Sequence, residues 1–241
     1  MGSGSSVLPL SSLPKDGPGA PWCLVVTPLF GTFTNAPCAS ARPDDPRHGA
    51  YPINYPNEWD TRQGRNGHGI WLHGTPSDTY SRPPLSSNGC VVLSNDDLSH
   101  LGKSVQVGTT PVIITNQMDW SDDADKAEQA ELSKAIEQWR NDWASLNTES
   151  YLQHYASDFA TGNFKLDTWS AQKRLVNSGK SWIKVGLSDL SIFPYPNQPN
   201  LVVVNFEQDY ASNNLANRMK KRQYWMKRDH RWQIVYEGAA S

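Results

Sequence analysis

Cys90 stands in the string Ser87-Asn88-Gly89-Cys90-Val91-Val92-Leu93, seventeen residues after His73 of Gly69-Ile70-Trp71-Leu72-His73-Gly74. A thiol becomes a nucleophile when a nearby base or positive site stabilises its thiolate. A glycine just before it frees the backbone, so the N–H groups of Gly89 and Cys90 can turn toward the oxyanion that forms when the thiolate adds to a carbonyl. One short stretch thus offers a nucleophile, a base and an oxyanion hole. A lone cysteine in a β-rich core is more often a small buried hydrophobe. The company of His73, Gly74, Ser87 and Gly89 turns the reading toward chemistry. His68, between two glycines and close to the base, reads as a site-lining residue. Ser87 either hydrogen-bonds within its own loop or supports substrate. Arg82, beside Pro83, suits a substrate carboxylate or an exposed loop equally well.

Elements must hold these groups in place. Gly69–His73 and Cys90–Leu93 are short apolar runs, the first bounded by glycines and the second β-branched, and both read as buried strands. The polar stretch between them, with Pro76, Pro83 and Pro84, reads as a loop passing over the site. Ser94 or Asn95 then caps a short helix ending near Gly102, and residues 108–114 close the unit as a strand. Residues 1–48 read as an irregular or incomplete front with one or two short strands, and residues 49–116 as the catalytic core. Residues 117–125 form a linker. Beyond it Leu132, Ile136, Trp139, Trp143 and Leu146 recur at helical steps. A second helix is expected over residues 148–159, followed by strands over 182–193, 200–210, 220–227 and 232–236. Helices followed by antiparallel strands make residues 126–241 an α+β domain.

Composition limits the rest. The 241 residues hold 22 basic and 24 acidic side chains, so no global field draws the chain to nucleic acid. No stretch approaches the ~20 apolar residues needed to span a bilayer. Cys23, Cys38 and Cys90 are too few and too irregular for a disulfide scaffold or zinc ribbon, and Cys23 with Cys38 reads equally as paired or unpaired. No metal-ligand spacing or phosphate-cradling loop occurs, so no metal and no cofactor are expected. The run Arg218-Met219-Lys220-Lys221-Arg222 reads as a solvated strand end or turn. Trp139, Trp143, Tyr155, Trp169, Trp182 and Trp232 read as core, as do His154 and His230.

The His73-Gly74 pair ahead of Ser87-Asn88-Gly89-Cys90 resembles the signature of the L,D-transpeptidase catalytic domain. The flanks Asn54-Tyr55-Pro56-Asn57-Glu58 and Gly64-Arg65-Asn66-Gly67-His68-Gly69-Ile70 are similar to those of its proteobacterial branch. The segments Trp139–Trp143, Tyr151–Phe159, Val203–Tyr210 and Trp232–Glu237 resemble the nuclear transport factor 2-like (NTF2-like) fold, a cone of helices on a curved sheet. The resemblance implies a mostly-β catalytic domain followed by an α+β NTF2-like domain. It implies that the Gly74 carbonyl orients the His73 ring, and that Cys90 attacks the L,D bond of a peptidoglycan stem peptide to give a thioacyl enzyme. Transpeptidation, L,D-carboxypeptidase trimming and release of a lipoprotein all use such a site, with a second stem, water or a lipoprotein linkage as the variable. A module that holds stems without turnover is the non-enzymatic alternative, and a homodimer surface on the second domain stays open. Asn88 and Val92 depart from the family, where many members have His and then Arg or Asn, and these positions bear on substrate handling. Residues 1–6 lack the basic start and apolar segment of an export signal, so a periplasmic or cell-wall address is implied by the resemblance alone.

Overall fold

The computed structural model describes residues 22–24, 29–32, 50–75, 87, 89–107, 110–114 and 124–240, with 22–24, 29–32 and 124–126 as backbone alone. The chain forms two units, Met1–Met118 and Asp119–Ser241. The expected loop over the site, Arg82, Asn88 and Cys38 lie outside the described residues, and so does the side chain of Cys23.

The first unit runs β1 (Trp22–Leu24), β2 (Leu29–Thr32), β3 (Ala50–Pro52), α1 (Glu58–Arg62), β4 (Trp71–His73), β5 (Val91–Val92), α2 (Asn95–Gly102) and β6 (Pro111–Ile114). One sheet has the order β1-β6-β2, with β1 parallel and β2 antiparallel to the central β6. The other has the order β3-β4-β5, antiparallel across β3 and β4 and parallel across β4 and β5. Leu72, Val91, Leu93, Leu98, Leu101, Val112 and Ile114 form one buried cluster that ties both sheets to α2. Burying each such side chain contributes roughly 1.5–3 kcal/mol. Ser94 is the cap of α2, its Oγ accepting from Asp97 N at 3.1 Å. Asn57 caps α1 by accepting from Asp60 N at 2.8 Å, and the fully buried Asp60 carboxylate accepts from Arg65 Nη1 at 2.8 Å. That pair anchors the glycine-rich segment leading into β4.

The second unit opens with α3 (Ala124–Ala144) and α4 (Thr148–Leu152), continues through a small hairpin of β7 (Ala160–Thr161) and β8 (Phe164–Lys165) to α5 (Leu166–Ser178), and ends in four long strands. These are β9 (Ile183–Tyr195), β10 (Gln198–Ser212), β11 (Leu215–Arg228) and β12 (Arg231–Ala239), antiparallel in the order β12-β11-β10-β9. Leu132, Ile136, Trp139 and Trp143 put one buried face of α3 against Val202, Val204, Phe206 and Tyr210 of β10. Register shifts between Asn205 and Glu207 and between Tyr224 and Trp225 mark bulges, which bend a sheet.

Several expectations are corrected. The helix expected to reach Phe159 stops at Leu152, because Ala156 N donates to Ile234 O at 2.9 Å and Ile234 N to His154 O at 2.7 Å. The segment joins the sheet instead of continuing to wind. Helix α5 is unanticipated, since Leu175 and Val176 are exposed and blur its apolar stripe. The basic run 218–222 lies near the start of β11, where Arg218 and Lys220 are exposed as in a solvated strand end, but Arg222 is buried and donates from Nε to Asn205 Oδ1 at 2.9 Å. Trp182 is exposed, and His230 sits in an exposed turn at φ 59°, so neither belongs to the core. Among the described residues no helix is long and apolar enough to cross a membrane.

Candidate active site

The parallel ladder of β4 and β5 builds the site. Leu72 pairs with Val91 and His73 with Val92, and Leu93 N donates to His73 O at 2.9 Å. Side chains alternate along strands, so the buried Leu72 and Val91 face the core together. His73 and Cys90 are both half-buried, and because Cys90 directly precedes β5 the same alternation puts it on the His73 side of the sheet. The sequence anticipates both strands as wholly buried; they are buried on one face only, which leaves the other for chemistry.

Two contacts hold the cysteine loop. The Cys90 thiol donates to the Gly69 carbonyl at 3.4 Å, and Ser87 Oγ donates to the Cys90 carbonyl at 2.6 Å. The Ser87 hydroxyl thus bonds within its own loop. Gly89 adopts φ +111°, a conformation open to glycine, and it is exposed. Gly89→Ala is expected to cost about 1–3 kcal/mol of backbone strain. A lower urea midpoint, with a loss of activity beyond the change in folded fraction, checks this. The Gly69 carbonyl was not foreseen as a partner of the sulfur. His68, flanked by Gly67 at φ +138° and Gly69 at φ +70°, is exposed one residue before that carbonyl.

The His73 ring is fixed from its far side. Its Nδ1 lies 2.7 Å from the Gly74 carbonyl oxygen, so Nδ1–H donates there and Nε2 is left as the basic atom. Asn95, read from the sequence only as an alternative helix cap, lies buried beneath this turn, and its Oδ1 accepts from Thr75 N at 3.0 Å.

The second unit holds the other concentration of buried charge. Glu237 accepts from Lys221 Nζ at 2.9 Å, Tyr155 OH at 2.8 Å and Gln223 Nε2 at 2.9 Å. Burial alone would raise its pKa, but Lys221, Lys173 and these hydrogen bonds hold it down at about 2. Tyr151 and Tyr155, whose hydroxyls are 2.5 Å apart, are pushed well above the usual tyrosine range by burial and then by the Glu237 charge. Lys173 Nζ sits 4.2 Å from the Trp169 ring centre and 5.2 Å from that of Trp143; burial lowers its pKa, Glu237 raises it and Lys221 lowers it further. His154, assigned to the core with His230, is partly buried and pairs through Nε2 with Asp142 at 2.8 Å.

The L,D-transpeptidase catalytic domain family matches residues 26–114, and the Cds6 C-terminal NTF2-like domain family matches residues 131–238. Among solved structures, the chain is similar to Bd1075 of Bdellovibrio bacteriovorus at 28% identity, covering 89% of this chain and 76% of that one with a TM-score of 0.73. It is also similar to the helical cell shape determining protein Pgp2 of Campylobacter jejuni at 27% identity, covering 89% and 75% with a TM-score of 0.66. No curated protein matches the chain. The motif, the two folds and these matches agree: the chain carries an L,D-transpeptidase catalytic domain followed by a Cds6-type C-terminal NTF2-like domain.

Proposed function

We propose that the first unit performs cysteine-dependent acyl transfer at the L,D bond of peptidoglycan stem peptides. The observation that carries the reading is the shared strand face of His73 and Cys90, with the imidazole held by the Gly74 carbonyl so that Nε2 is its free base. In this reading His73 takes the thiol proton, and the Cys90 thiolate adds to the carbonyl of the diamino acid that precedes D-alanine. The N–H groups of Gly89 and Cys90 stabilise the oxyanion, an interaction worth roughly 3 kcal/mol per donor. Collapse breaks the L,D bond, His73 returns the proton to the departing D-alanine amine, and a thioester remains on Cys90. An amine of a second stem attacks that thioester to give a crosslink and transpeptidation, the first reading.

Hydrolysis by water is the second. Val92, paired with His73, favours it, because an apolar side chain at that point offers no donor to grip an incoming stem. Release of a lipoprotein is the same chemistry with a different acyl partner. Stem peptides are the proposed substrate, the cell envelope the proposed location, and a part in setting cell shape follows from the likeness to Pgp2. Arg82, Asn88 and His68 are proposed as the substrate-facing residues, with no cofactor. Mass spectrometry of purified muropeptides incubated with the protein decides among the outcomes: crosslinked dimers mark transpeptidation, loss of one D-alanine marks trimming, and a freed lipoprotein peptide marks release. Spectra unchanged by the protein would leave it a binding module.

A further inference from the structure

We infer that Asn95 is a positioning residue for the base, acting on His73 through the peptide group that joins Gly74 to Thr75. The inference rests on the acyl-transfer reading of His73 and Cys90. The carbonyl that meets His73 Nδ1 at 2.7 Å and the N–H that meets Asn95 Oδ1 at 3.0 Å belong to one peptide group. That group is planar and trans, so its C=O and N–H point in opposite directions and cannot rotate separately. Gripping the N–H from one side therefore aims the carbonyl on the other. The arrangement runs from the Asn95 amide oxygen through the peptide to the imidazole, and each hydrogen bond polarises the next.

Two further observations fit a built clamp. Asn95 is buried, at 7% exposure, on the first residue of α2, while the cap of that helix is made by Ser94. Its side chain is thus not needed for the capping role the sequence suggests. Gly74 leaves the room Asn95 occupies: a Cβ there would collide with Asn95 Oδ1 and lie 3.5 Å from Leu98 Cδ2. The close approach of α2 to the turn is what lets one amide reach Thr75 N. In triads an acidic or amide side chain bonds the imidazole directly and selects its tautomer. Here a main-chain peptide stands between the two.

The test reads the imidazole itself. Nitrogen-15 NMR of histidine-labelled full-length protein should show His73 in the Nδ1–H form in the wild type and a shift toward the Nε2–H form in Asn95→Ala. With stem-peptide substrate, Asn95→Ala should lower kcat roughly 100-fold with KM little changed. Its kcat/KM pH profile should move with the base, and Asn95→Asp, which keeps the acceptor oxygen, should restore most of the rate. Should Asn95→Ala fail to fold, Gly74→Ala displaces the same oxygen and gives the same tautomer reading. An unchanged tautomer in the folded variant, or an Asp variant no better than Ala, overturns the inference. A wild-type protein inert on stem peptides would defeat the acyl-transfer reading alone, because the tautomer measurement needs no turnover.

Discussion

Cys90→Ala is expected to lower turnover of stem peptides by roughly 10^4-fold or more, since it deletes the sulfur proposed to carry the acyl group. His73→Ala should cost nearly as much, and the double variant little beyond either single one, because a nucleophile without its base and a base without its nucleophile are equally idle. The circular dichroism and urea midpoint of Cys90→Ala should match the wild type: the thiol is half-buried and makes one sulfur hydrogen bond, to Gly69. Intact-protein mass spectrometry offers an independent check. The wild type incubated with substrate should gain the mass of the acyl fragment, and the alanine variant should gain nothing. Equal D-alanine release by both proteins would remove Cys90 from the chemistry.

The largest loss of stability is expected from Glu237→Ala. The carboxylate is 1% exposed on its side chain and Lys221 is 14% exposed, so removing the anion strands a largely buried ammonium beside Lys173. Breaking a buried pair of this kind costs about 3–5 kcal/mol, read as a drop in the urea midpoint followed by tryptophan fluorescence. The same group sets an acid limit. Its pKa falls from the ordinary carboxylate value of 4.5 to about 2 in the fold, so its contribution is fully present above the unfolded value and drains away as pH falls through the folded one. That difference is worth roughly 3 kcal/mol. Between about pH 5 and pH 2 the wild type should lose this increment, and Glu237→Ala should show a flatter dependence. Parallel pH curves for the two proteins would contradict the assignment.

The site was legible in the sequence to the extent that its order and glycines were. Gly69–His73 and Cys90–Leu93 announce themselves as strands by local composition, and Ser94 announces α2. Their parallel pairing does not, because nothing in a short apolar run names a partner seventeen residues away or says which face will be open. Asn95 escaped for a related reason: beside Ser94 it has the composition of a cap, and only the approach of α2 to Gly74 gives it other work. In the second unit α3 was readable because Leu132, Ile136, Trp139 and Trp143 keep one face. Only the inner end of the basic run departs from a solvated strand end, because alternation is hidden when a strand carries cations on both sides: Lys221 turns to Glu237 and Arg222 to Asn205. Charge that finds an internal partner looks, residue by residue, like charge that meets water.

His73 lies on β4 and Cys90 directly before β5, and the register of these two strands is set by main-chain hydrogen bonds, His73 against Val92. Leu93 N, donating to His73 O at 2.9 Å, continues that ladder past the pair. A substitution that breaks this ladder is therefore expected to part sulfur from imidazole even where neither residue is touched.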